Sequence, residues 1–186
     1  MILKRKKPHN EEKAKPVESK ETQKAVTESW IDRVHRNYGD VLYDLCQSLL
    51  WSSADAPEAY RSILRTLKRQ ALLGRYEKHE RAWIFQIAFY ELKKLARRTH
   101  RELTPAEQVM LDSNPDPKAR MRYFDSYFHR LPLESQFVLL LRDKYGFPMI
   151  EIASALESPE ESLKLQRLSA FRQLESWIWS GENGML

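Results

Sequence analysis

Between Ser29 and Leu49, apolar residues recur at three- and four-residue steps: Trp30, Ile31, Val34, Tyr38, Val41, Leu42, Leu45 and Leu49. That spacing lays them along one face of an α-helix. Ser29 is placed to cap it, and SSADAP breaks it. Pro57 suits the first turn of a second helix, where its missing N–H has no intrahelical partner to lose. This helix runs to about Leu73 and buries Tyr60, Ile63, Leu64 and Leu67; Gly74 sits where a left-handed residue closes a helix. A third helix, from about Lys78 to Arg98, presents Trp83, Ile84, Ile87, Ala88, Leu92 and Leu95 on its apolar face. It ends in LKKLARRTHR, whose cations complement the negative end of the helix dipole. Four more helices are expected at Arg122–Arg130, Leu133–Tyr145, Pro148–Leu156 and Glu160–Trp179. FVLLL at Phe137–Leu141 reads as a core segment. No stretch sustains a period of two, so no sheet is predicted. The expected fold is all-α.

The polar segments divide the chain. Residues 1–28 alternate Lys and Glu around Pro8 and Pro16, with few large apolar groups. Such a segment buries too little surface to offset its ordering entropy, and a disordered tail is expected. Its Lys4–Lys7 cluster suits either a solubilising role or contact with nucleic acid. Residues 101–121 hold three prolines with Asp and Asn, the composition of a linker, with a short helix expected after Thr104. Two small helical modules therefore follow, at 29–100 and 122–180.

Charge refines this picture modestly. The 186 residues carry a net charge of +5 and a pI near 9.3, which fits a polyanionic partner without requiring one. The single Cys46 lies among apolar positions and reads as a small buried side chain. One cysteine forms no disulfide within the chain, which suits a reducing cytoplasm. No apolar run approaches the roughly 20 residues of a membrane span. The opening MILKRKKPHN lacks the apolar stretch of a signal peptide.

Catalytic chemistry finds no constellation. The histidines at 9, 35, 79, 100 and 129 show no metal-ligand spacing. There is no Gly-rich phosphate loop and no nucleophile elbow. Glu160 and Glu161 stand in a first helical turn, where the dipole accounts for them. A binding protein is expected, neither an enzyme nor dependent on a cofactor.

The last two helices, FPMIEIASALESPEESLKLQRLSAFRQLESWI, outline a helix-turn-helix. Here Leu131-Pro132, Leu141-Arg142, Gly146, Glu151-Ile152-Ala153, Leu156, Pro159, Leu163-Lys164, Ala170 and Leu174 resemble, without a gap, the second module of the extracytoplasmic-function group of sigma-70 factors. Trp83-Ile84-Phe85, Ile87-Ala88 and Arg97-Arg98 resemble that group's −10 helix, and Asp55–Leu64 its polymerase-binding helix. The resemblance covers about Tyr38 to Ile178. It implies a bacterial cytoplasmic factor that binds core RNA polymerase and directs promoter recognition and transcription initiation, with an anti-sigma factor as a further partner. It implies polymerase contacts at Glu58, Arg61 and Arg65. It implies −10 DNA contacts at Tyr90, Lys93, Lys94, Arg97 and Arg98, and −35 contacts at Lys164, Gln166, Ser169 and Arg172.

Departures from the family pattern fall on the faces that meet partners. Arg61 stands for Gln, Tyr90 for Asn, Lys94 for Asp, Leu165 for Ser, and Gln166 and Ser169 for Arg. Leu165 and Leu168 can touch thymine methyls but cannot hydrogen-bond a base edge. Arg167 falls where the family packs an inward side chain. Three roles stay open for the stripe of Leu165, Leu168 and Phe171: DNA contact, a protein partner, or packing onto the first module. Beside the basic tract, Phe89 and Tyr90 read as more exposed than Trp83 and are available to stack on unpaired bases. The competing readings are a sigma-like interaction protein that has lost promoter reading, and a stand-alone helix-turn-helix regulator of duplex DNA.

Overall fold

The structure, a computed structural model, describes residues 20–74, 80–99 and 123–179, with isolated positions between 104 and 113. All regular structure among them is helical, as expected. In chain order the helices are α1 (Lys20–Leu49), α2 (Ala56–Leu72), α3 (Glu80–Thr99), α4 (Phe124–Arg130), α5 (Leu133–Leu139), α6 (Met149–Leu156) and α7 (Glu160–Trp179). A short 3-10 turn, Ser53–Asp55, precedes α2, and a π-helical turn, Leu140–Lys144, extends α5. Among the described residues, no helix is long and apolar enough to cross a membrane.

Each helix buries the face its spacing marks. α1 buries Trp30, Val34, Leu42, Leu45, Cys46 and Leu49. α2 answers with Ala59, Ile63, Leu67 and Ala71, and Pro57 lies in its first turn. Burial pushes the Cys46 thiol up to about 12, so it stays a neutral packing group. Gly74 and Gly146 take φ of +68° and +70° to end α2 and to turn the chain towards α6, a region that disfavours any Cβ.

The first helix starts earlier than its apolar spacing predicts. The expected tail covers 1–28; residues 1–19 lie outside the described residues, and the helix already runs from Lys20. Thr27 is fully buried, Glu28 meets Lys68 of α2 at 3.4 Å, and Trp30 Nε1 donates to Glu80 of α3 at 2.8 Å. Neighbouring helices thus supply contacts to a segment too polar to announce itself. Most of the expected linker and its short helix, 101–121, lies outside the described residues.

The halves at 29–100 and 122–180 share one apolar core. α3 packs along α6, and its aromatic side chains reach across. The Phe85 ring lies 4.9 Å from Phe147, and Phe89 lies 5.0 Å from Phe137. Polar ties flank this seam. Arg81 pairs with Glu151 and lies 5.2 Å over the Phe147 ring, while Gln86 donates to Glu157 at 2.6 Å. On another side, Lys144 Nζ and Tyr145 Oη of the π-turn region donate to Asp44 of α1.

Candidate nucleic-acid and polymerase-facing surfaces

α3 carries the basic surface. Its apolar face must enter the core, which turns Lys94, Arg97 and Arg98 outward at its last turns. Lys93 is half-buried, its ammonium 5.4 Å over the Phe89 ring. Tyr90 is 56% exposed, and its hydroxyl reaches Glu157 at 3.5 Å. Phe89 corrects the expectation of exposure: it is 7% exposed because Phe137 of α5 covers it. Trp83 and Phe85 are buried too, so Tyr90 alone of these four rings is open to a base. Arg101, the last cation of the tract, lies outside the described residues.

α2 presents Glu58, Arg61 and Arg65 on one exposed face, since steps of three and four residues keep them aligned. Arg61 Nε donates to the Pro57 carbonyl at 3.1 Å, which holds its stem against the helix. The opposite face is bound to α1, where Tyr60 and His35 share a hydrogen bond of 2.5 Å.

The helix-turn-helix is formed by α6 and α7. Between them Glu157 adopts φ of 52° without being glycine. Ser158 N donates to the Ala153 carbonyl at 3.1 Å, closing α6. The strained conformation has a local use, because it brings the Glu157 carboxylate to Gln86 and Tyr90 of α3. α7 buries Leu163, Ala170, Leu174 and Ile178. Arg167 lies half-buried on that side, and Nε donates to both oxygens of Asp143, at 3.0 and 2.8 Å. An acid in the π turn thus accommodates a cation where the family pattern has an inward side chain.

The four −35 candidates separate into two pairs. Lys164 is held by Glu160 at 2.9 Å and Glu161 at 2.7 Å, which raises its pKa and spends its charge on its own helix. Gln166 Nε2 donates to Ser135 Oγ of α5 at 3.0 Å. Ser169 and Arg172 are exposed. Leu165, Leu168 and Phe171 are exposed as well, at 69%, 49% and 41%. The stripe therefore does not pack onto the first half of the chain.

Residues unmarked in the sequence also shape these surfaces. Arg81, Glu151 and Glu157 form the polar edge of the α3–α6 seam. Asp44, Lys144 and Tyr145 bind α1 to the π turn. Their partners lie about 70 to 100 positions apart, so no local pattern signals them. A cleft of about 1110 Å³ opens between the end of α1, α4, the π turn and α7, lined by Trp51, His129, Phe124, Phe171 and Trp179 among others. The chain has no significant match among models of known protein families or among curated proteins.

Proposed function

We propose that the chain is a sigma-like factor that binds core RNA polymerase and directs it to promoters from a cytoplasmic location. The observation that carries this reading is the exposed end of α3, where Lys94, Arg97 and Arg98 stand beside an open Tyr90. Cations at that spacing neutralise successive phosphates, and one ring is free to stack on an unpaired base. The exposed row of Glu58, Arg61 and Arg65 on α2 is the polymerase-facing surface in this reading. At the −35 element Ser169 and Arg172 carry the contacts, because Lys164 and Gln166 are engaged within the chain. An anti-sigma factor is the regulator that this role calls for.

The test is the affinity of the purified chain for bacterial core RNA polymerase, at moderate salt and without DNA. Saturable binding with a nanomolar Kd supports the reading. Absence of binding rejects it.

A second reading draws on α7. Its exposed leucines and self-paired Lys164 favour a sigma-like interaction protein that no longer reads promoters. Polymerase binding unaccompanied by sequence preference in duplex DNA would select this alternative.

A further inference from the structure

The outward face of α7 carries Glu161, Leu165, Leu168 and Arg172, all exposed. Steps of four, three and four residues align them along about three turns. Leu165 and Leu168 are the most exposed large apolar side chains of this helix. The Glu161 side chain is 82% exposed and, though bonded to Lys164, keeps its other side open. We propose that this stripe docks on the same stripe of a second copy of the chain, as an antiparallel helix pair with two-fold symmetry.

Charge and register choose this occupant. When Leu165 faces the partner's Leu168, two-fold symmetry sets Leu168 on the partner's Leu165. The same register brings Glu161 opposite the partner's Arg172 at one end and Arg172 opposite the partner's Glu161 at the other. Lys164 falls opposite the partner's Ser169, so no like charges meet. A slide of one turn either way sets a leucine against Arg172 or Glu161. A parallel pairing sets Arg172 against the partner's Arg172. The stripe is thus self-complementary in one arrangement, as a two-fold interface requires. The ion pairs specify register more than they add affinity, because both ends are exposed.

One helix face offers less than the roughly 800 Å² per partner of a stable interface. The dimer is therefore weak and reversible, with a Kd in the micromolar range. It covers Ser169 and Arg172, so dimerisation and −35 contact by α7 exclude one another. The proposal does not depend on polymerase binding and stands or falls by its own test.

The test is sedimentation equilibrium of the full chain across micromolar concentrations. The expected result is a reversible monomer–dimer equilibrium, abolished by Leu165→Ser combined with Leu168→Ser. Glu161→Arg and Arg172→Glu should each weaken it by about tenfold or more, because each homodimer then sets like charges together twice. An equimolar mixture of the two should recover dimerisation close to the natural chain, since both contacts in the mixed pair are again of opposite sign. Recovery on mixing also shows that each variant is folded. A natural chain that stays monomeric overturns the proposal and leaves the stripe to DNA or to another protein. A dimer that survives the double leucine change, or single variants that fail to recover on mixing, overturns it equally.

Discussion

Asp44 is half-buried on α1 and accepts hydrogen bonds from Lys144 and Tyr145. Burial alone would raise its pKa; the hydrogen bonds and the nearby ammonium outweigh this and hold the carboxyl below its ordinary value. A depressed carboxylate stabilises the fold above its unfolded pKa of about 3.9 and loses that contribution as pH falls through the folded value. Asp44→Asn should therefore cost about 1–2 kcal/mol near neutrality. The difference from the natural chain should shrink below about pH 4, as urea midpoints measured across the acid range would reveal. His129 works in the opposite chemical sense with the same direction in pH. Burial lowers its pKa although Asp125 pulls it up, and its ring stacks on Trp51 at 4.6 Å. The unfolded chain then binds the proton more tightly, so stability is full above about pH 6.5 and declines as pH falls below it. His129→Gln should flatten the stability profile between about pH 5 and 7, and thermal unfolding across that window would record it.

α3 divides its labour between faces. Its apolar side holds the two halves together, and its basic end is left to solvent. Lys94→Ala with Arg97→Ala should weaken promoter binding and reduce the slope of log affinity against log salt by about 2, one unit for each lost phosphate contact. An unchanged slope would remove this tract from the DNA surface. The location of the tract was legible in the sequence because seven consecutive turns of spacing were not needed to see it: cations cluster where the apolar positions stop. The fate of Phe89 was not legible. It lies beside the apolar face, and only the placement of Phe137 decides that it is covered. α7 teaches the same lesson in reverse. Its bounds were readable from Glu160 and Glu161 at one end and the apolar repeat along its length. That Lys164 and Gln166 bond within the chain depended on side-chain reach and on where Ser135 stands.

At the scale of the molecule, the shared core predicts a single cooperative unfolding transition. Phe89→Ala removes a ring from the seam and should cost about 3 kcal/mol or more, as buried aromatic truncations do. Fluorescence from Trp30 and Trp83 in one half and Trp177 and Trp179 in the other should shift together, tested with variants that keep tryptophans in one half at a time. Separate transitions would show that the halves fold independently. What the sequence by itself determined was the all-α class, the apolar face of each principal helix and the glycine turns at Gly74 and Gly146, since these arise from neighbours within a few residues. Tertiary structure decided that the two halves share one core, that α1 begins at Lys20, and that Leu165 and Leu168 remain outside. The physical reason is that spacing marks which face of a helix seeks burial but does not name the surface that receives it. That choice rests on contacts such as Phe85 with Phe147 and Asp44 with Lys144, made between residues far apart in the chain.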